Sequence, residues 1–384
     1  MGATRRAMAA LDHLHRDPHK PTRHVDVVLV ALVLGIAAYG VVMIYSAKRV
    51  ALEAAGASTM TFALRQVVAI AIGLVGMVVI ATVDYRRWRE FAWHFFAGTT
   101  LLLVAVLVLG RNVNGAQAWF QLGPVQLQPS ELAKVTLVLA IASFAAAGPA
   151  GREQPPDFRR FVLTLAIAGI PASLTLIQPD LGTAMVFGAI TTGVLLVAGA
   201  DLRHILVISL LGLVSVTVIL GTDQLQEYQQ RRLTAFLDDG SQWAWQQRNS
   251  QVAIGNGRIT GEGLFEGSQT NLSFVPEQHT DFIFTATAEQ LGFVGAAGLL
   301  CAHGLLAVRI WRTAVIARDL LGTLICVGVL AMLVFQVFQN IGMALGIMPI
   351  TGIPLPLMSY GGSSTIAFFA LVGLVQSVHM HRYQ

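Results

Sequence analysis

The sequence predicts an all-α polytopic membrane protein: about ten transmembrane helices, with one long extracytoplasmic loop between helices 7 and 8. Three observations predict it. Apolar runs close to the length of a bilayer span recur along the chain, charge is scarce, and basic residues fall in alternate loops. Hydrophobic residues make up 55% of the 384 and charged residues 12%, about half the roughly 25% of a soluble domain. Mean hydropathy is +0.65. So little polar material cannot cover a globular surface, and most of the chain must meet lipid or other apolar helices.

Residues 1–24 carry Arg5, Arg6, Arg16, Lys20 and Arg23 and read as a disordered cytoplasmic basic tail. The apolar run that follows is too long for a signal-peptide core and lacks an A-x-A exit. Residues 25–384 then form one transmembrane domain. A span takes about 20 apolar residues. The candidates are Val25–Ser46, Val67–Val83, Phe91–Gly110, Leu132–Ala147, Phe161–Ile177, Leu181–Ala200, Ile205–Leu220, Phe282–Val308, Leu320–Leu345 and Thr365–Met380. The fourth and the last are short. Gln178-Pro179-Asp180 divides the fifth from the sixth, because Pro179 removes a backbone donor and Asp180 would be costly in hydrocarbon. Cys301 and Cys326 lie apart in apolar runs, so neither a disulfide nor a thiol metal site is expected.

Orientation follows from the basic residues. Arg86, Arg87, Arg89, Arg152, Arg159, Arg160, Arg203, Arg309, Arg312, Arg318 and Arg382 share one side with the basic tail. The short loops of the other side hold only Lys48, Arg49, Arg65, Arg111 and Lys134. This bias puts both termini in the cytoplasm and the long loop, about 221–281, outside. The loop mixes Tyr228, Trp243, Trp245, Phe265 and Phe274 with Arg231, Arg232, Arg248 and Arg258. Loops of this length are usually functional, and Leu225–Phe236 reads as an amphipathic helix lying in the interface.

The informative polar residues stand at the outer ends of spans. In Gln128-Pro129-Ser130-Glu131-Leu132-Ala133-Lys134, Glu131 and Lys134 share one helix face. They read as a structural ion pair or as support for an anionic site. In Gln178-Pro179-Asp180-Leu181-Gly182-Thr183, Asp180 reads most simply as a helix cap. Pro276-Glu277-Gln278-His279-Thr280-Asp281-Phe282 sets three ionisable groups against an apolar span, where Asp281 alone would be a bare cap. Glu289, two turns further in, is expensive there without a partner. Met348 to Ser364 holds three prolines and three glycines, among them Pro349, Gly352 and Gly362, before Ser363 and Ser364. Irregular backbone at that depth is tolerated only where it is buried or lines a watery cavity. No nucleotide, zinc or haem motif appears. The residues alone describe an outward polar cavity at the lipid boundary, and leave open a transporter and a lipid-using transferase.

Gln128–Lys134, Gln178–Thr183, Pro276–Phe284 and Gly352–Ser364, in that order along the spans, resemble the signature segments of the SEDS family. Met348-Pro349-Ile350-Thr351-Gly352 is more similar to its rod-shape, RodA-like branch than to the division branch, where a Lys commonly precedes the Gly. The resemblance covers nearly the whole chain except the tail. It implies a peptidoglycan glycosyltransferase that polymerises lipid II into β-1,4 glycan strands on the outer face of the bacterial cytoplasmic membrane. It implies a divalent cation, Mg2+ or Mn2+, with Asp281 as the candidate ligand. It implies as partners the growing strand, a class B penicillin-binding protein and other membrane proteins of the elongation complex, and no nucleic acid. Asp281 matches the family's essential acidic residue, and Glu131 and Lys134 its buried charged pair. Asp180, Glu277, His279, Thr280, Ser363 and Ser364 are the supporting or substrate-binding candidates. The chain departs from the pattern at Ala118, where an Arg is expected nearby, at Glu262, where Lys is commoner, and at Arg258, where Gly is usual. The competing roles are a lipid II flippase and a scaffold without chemistry. The penicillin-binding protein's single transmembrane helix is expected against the eighth and ninth spans, at a small face formed by Gly292, Gly295, Gly298 and Gly304.

Overall fold

The computed structural model of the chain describes residues 24–113, 116–122, 125–147, 157–207 and 242–383. The basic tail up to Arg23, most of the seventh candidate span and the Leu225–Phe236 segment lie outside them. The helices are α1 (Val27–Ala54), α2 (Thr61–Thr82), α3 (Tyr85–Leu109), α4 (Pro129–Ala145), α5 (Phe158–Ile177), α6 (Leu181–Val197), α7 (Gln242–Asn256), α8 (Ser268–Asn271), α9 (Ile283–Val315), α10 (Leu320–Ala344) and α11 (Gly362–Met380). Among the described residues seven helices are long and apolar enough to cross a membrane: α1, α2, α3, α5, α9, α10 and α11. Helices α4 and α6 have 17 residues each, about 25 Å at 1.5 Å per residue. That is the short end of the spanning range. Every candidate span except the seventh therefore corresponds to a helix.

Asp side chains start five of these helices. Asp26, Asp84, Asp157, Asp180 and Asp319 accept the N–H of Leu29, Arg86, Arg160, Thr183 and Gly322, which satisfies donors that have no partner in the first turn. At the end of the bundle away from Asp281, Asp26 pairs with Arg309 at 2.6 Å and Asp319 with Arg86 at 3.0 Å. These contacts tie α1 to α9 and α3 to α10.

The bundle centres on α4 and α11, which are buried on nearly all sides. Small residues let the helices approach. A Cβ on Gly373 would stand 2.8 Å from the Met77 carbonyl, and one on Gly193 would stand 2.6 Å from Ala331. This is how membrane helices pack when lipid offers no hydrophobic contrast.

The chain is not purely helical. Strands β1 (Arg111–Val113), β2 (Ala116–Leu122) and β3 (Val125–Leu127) form an antiparallel meander in the order β1-β2-β3, with Arg111 opposite Trp119 and Phe120 opposite Leu127. The all-α expectation overlooked the alternation in Ala116-Gln117-Ala118-Trp119-Phe120-Gln121-Leu122, whose period of two favours a strand.

The eighth span is broken. Gly292 has φ 63° and ψ −162° inside α9, outside the helical region and on the side open to glycine. Before the break, residues 282–290 are buried; beyond it, Phe293 and Val294 are 70% and 62% exposed. The loop segment 257–263 fills the gap with its own backbone. Phe293 and Val294 donate to the carbonyls of Arg258 (2.8 Å) and Ile259 (3.1 Å), and Glu262 and Gly263 donate to those of Glu289 (3.0 Å) and Gln290 (3.1 Å). Broken backbone at a membrane boundary is stable only when repaired in this way. Gly292 is therefore not part of an open small face, and a Cβ on Gly295 would meet its own Leu291. Gly298 and Gly304 stand open, with nothing within 4 Å of a Cβ.

Candidate active site

Four polar segments meet at one end of the bundle. The first is the turn 276–281. Glu277, at φ 52°, turns its carbonyl to the N–H groups of Thr280 (3.2 Å) and Asp281 (3.0 Å). Two outside groups hold the turn. The Tyr360 N–H donates to the His279 carbonyl at 2.9 Å, and the Asn340 amide donates to the Asp281 carbonyl at 2.7 Å and to the Ile353 carbonyl at 2.8 Å. Helix α9 begins after this turn with Phe282 as its N-cap and without a side-chain cap. Asp281 directly precedes that N-cap residue. Its half-buried side chain stands on the turn, ahead of an apolar helix.

From Ile353 the contacts run across the bundle. A Cβ on Gly182 would lie 2.7 Å from the Thr351 carbonyl and 2.9 Å from Ile353, so only glycine lets the irregular segment settle on the start of α6. There Asp180 is a cap: it accepts the Thr183 N–H at 2.9 Å and hydroxyl at 2.7 Å, and the Gln128 amide at 3.4 Å. The Ser363 hydroxyl accepts the Gln128 N–H at 3.0 Å and donates to the Gln126 carbonyl at 3.2 Å, which locks α11 to the start of α4. Ser364 closes a local turn onto the Gly361 carbonyl at 3.1 Å. Thr280 bonds back to Glu277, whose side chain is exposed.

One turn into α4, Lys134 Nζ lies 2.6 Å from Glu131 Oε1, with side chains 2% and 4% exposed. The expected pair exists, and it is closed on itself. Lys134 is neutralised and enclosed, so it shapes the site and is not a freely offered cation. Buried polar atoms in proteins are nearly always paired. Yet Ser130 Oγ, Glu131 Oε2, Gln178 Oε1, His279 Nδ1, Asn340 Oδ1 and Thr351 Oγ1 have no protein partner. These belong to the four segments or to the Asn340 that joins them; six further such atoms lie elsewhere among the described residues, on Tyr39, Thr100, Ser143, Gln290 and Gln376.

His279 is enclosed by Phe62 and Tyr360, with ring centroids at 5.2 and 5.5 Å. Its burial, and then the nearby Lys48 charge, push its pKa down to about 3. Near neutral pH it is an uncharged ring that can offer or accept one hydrogen bond, not a cation for phosphate. Lys48 itself lies over the Phe62 ring at 5.6 Å. Among the described residues no three His, Cys, Asp or Glu side chains converge as a metal cluster.

Glu289 has the partner that its cost demanded. It accepts the Gln269 and Thr270 N–H groups and the Thr270 hydroxyl. Of the positions that depart from the family pattern, Glu262 accepts the Ser268 N–H at 2.7 Å, and Ala118 is buried in β2. Arg258 sits at φ 45°, which explains why glycine is the natural residue there. Two site residues escaped sequence reasoning: Asn340, and Gln66, which bonds Thr365 at 2.9 Å and accepts the Gly361 N–H at 3.2 Å. Each is a buried amide in a mainly apolar helix, but Asn340 shares its helix with Gln336 and Gln339 and Gln66 follows Arg65, so polarity alone did not single them out.

Residues 26–384 match the family model for FtsW, RodA and SpoVE, described as a cell cycle protein. The peptidoglycan glycosyltransferase MrdB of Escherichia coli is 36% identical over 363 residues, 94% of each chain. A probable peptidoglycan glycosyltransferase FtsW of Geobacter metallireducens is 34% identical over 371 residues, 94% of this chain and 96% of its own. Among solved structures, the rod shape determining protein RodA of Thermus thermophilus matches with a TM-score of 0.70 and 35% identity over 94% of this chain and 98% of its own. A chain from a study of how a peptidoglycan synthase complex coordinates polymerization and crosslinking matches at 0.75 and 37% identity, over 94% of this chain and 99% of its own. With the family model spanning all but the tail and the ordered segments meeting in one site, this chain belongs to the SEDS family of FtsW, RodA and SpoVE membrane proteins.

Proposed function

We propose that this chain is a RodA-like peptidoglycan glycosyltransferase that polymerises lipid II, with Asp281 as its catalytic base. The observation that carries the assignment of Asp281 is its setting. It stands half-buried on a backbone-anchored turn that lies where the four polar segments converge. The acceptor sugar's 4-hydroxyl gives its proton to the Asp281 carboxylate as its oxygen attacks the donor's anomeric carbon. The bond from that carbon to the lipid diphosphate breaks on the opposite face, with inversion. The nearest general chemistry is inverting glycoside hydrolysis, in which one carboxylate activates the nucleophile. A positioned base contributes roughly 10²–10⁴-fold. Mg2+ is commonly held by one or two carboxylates together with substrate phosphates, and a single Asp281 carboxylate fits that pattern. A divalent cation bound there would offset the charge of the departing diphosphate.

The proposed topology has both termini in the cytoplasm and the site on the outer face of the bacterial inner membrane, as the basic bias supports. The proposed partner is a class B penicillin-binding protein whose transmembrane helix packs on the open Gly298 and Gly304 of α9 and on α10. The flippase alternative needs a polar route through both halves of the bundle, whereas at the far end Asp26–Arg309 and Arg86–Asp319 close on themselves. The test is purified protein with lipid II and a divalent cation, with glycan length read on a gel. Asp281→Asn is expected to insert and fold like the parent and to make no glycan. Near-normal polymerisation by that variant would refute the assignment.

A further inference from the structure

The turn that carries Asp281 has a third anchor, and it starts inside α9. Besides the Tyr360 and Asn340 contacts to its backbone, its Gln278 side chain donates to the Thr270 hydroxyl at 2.9 Å. That hydroxyl donates in turn to Glu289 Oε2, which also accepts the Thr270 N–H at 3.1 Å. Glu289 Oε1 takes the Gln269 N–H and lies 3.5 Å from the Ser268 hydroxyl. Gln278 is 4% exposed, Thr270 2% and Glu289 0%. Gly267 makes the approach feasible, since a Cβ there would stand 2.9 Å from the Glu289 carboxylate. An ionised carboxylate is costly in such surroundings unless several donors meet it, and here they all come from one loop segment.

We infer that Glu289 is a positioning residue, which sets the Asp281 turn through Thr270 and Gln278. This rests on the reading of Asp281 as the base. Glu289 touches no reacting atom. It fixes segment 268–271, and that segment fixes Gln278, three residues ahead of Asp281. Glutamine at 289 cannot replace it, because its amide group would turn a donor toward donors that already need an acceptor. A displacement of about 1 Å in a reacting group costs on the order of 10²-fold in rate.

The experiment uses the full-length purified protein with lipid II and a divalent cation, and the variants Glu289→Gln, Thr270→Val and Gln278→Leu. Each is expected to lower kcat by about 10- to 100-fold with KM within about threefold. Hydrogen exchange over 276–282 should quicken while the detergent unfolding midpoint of Gln278→Leu stays parental. The double variant Glu289→Gln/Gln278→Leu should be no slower than the worse single, since both cut one chain of contacts. Parental kcat in Thr270→Val and Gln278→Leu, additive losses in the double variant, or quicker exchange without a change in kcat would overturn the inference. If Glu289→Gln does not fold, the other two variants decide. Asp281→Asn separates the two ideas: full activity there defeats the base assignment, whereas an inactive Asp281→Asn beside a fully active Gln278→Leu defeats only the role of Glu289.

Discussion

Replacing Lys134 with methionine keeps an unbranched chain of similar length and removes the only hydrogen-bond partner of the Glu131 side chain among the described residues. Glu131 is 3% exposed, its Oε1 lies 2.6 Å from Lys134 Nζ, and its Oε2 has no partner. The variant must either bury an unpaired carboxylate or protonate it. Breaking a buried pair from one side costs about 3–5 kcal/mol, roughly two to four orders of magnitude in the folding equilibrium. Removing both charges is a different perturbation. Glu131→Leu/Lys134→Met leaves no ion to desolvate, and such replacements are often neutral or stabilising. The double variant should unfold within about 2 kcal/mol of the parent, well above Lys134→Met alone. Unfolding titrations with sodium dodecyl sulfate, followed by tryptophan fluorescence, measure both. A parental midpoint for Lys134→Met, or a double variant at least as unstable as the single, would refute the account of the pair.

Other expectations follow from individual residues. Arg258→Gly should stabilise the fold by about 1 kcal/mol in the same titration, because Arg258 occupies φ 45° at the usual penalty for a left-handed non-glycine residue. Lowering the pH from 6.5 to 5 should destabilise the protein by up to about 2 kcal/mol through His279. Its folded pKa is about 3, so over that interval the unfolded ring takes up a proton that the folded ring refuses; His279→Gln should flatten the dependence. Single cysteines at Glu266 and Arg318 should label from opposite faces of sealed membranes, and labelling from one face would overturn the topology.

Much of this architecture was legible in the sequence because lipid imposes a strict code. Apolar length set the helices, and Pro179-Asp180 correctly marked the divide between α5 and α6. The charges that had to pair, Glu131 and Lys134, could be matched by helical spacing alone. What escaped depends on contacts distant in sequence. The break at Gly292 lies inside a single candidate span, just after Glu289 and Gln290, and only the docking of 257–263 makes it stable. The strands hide in a short alternating stretch between spans. The part of Asn340 in holding Asp281 could not be foreseen, since 59 residues separate them. Asp281 was identified by motif resemblance, and the structure adds the main-chain contacts that hold its turn.

The splice at Gly292 also bears on the order in which the molecule is assembled. The N–H groups of Phe293 and Val294 have their partners at Arg258 and Ile259, in a segment that must lie at the same side of the bilayer. This end of α9 is therefore completed only when the earlier-synthesised segment 257–263 docks on it. Until that docking, residues 289–294 hold unpaired main-chain groups at the water boundary, where water can occupy them. Nascent chains probed by accessibility should show this stretch protected only after the whole 257–294 region has emerged from the ribosome.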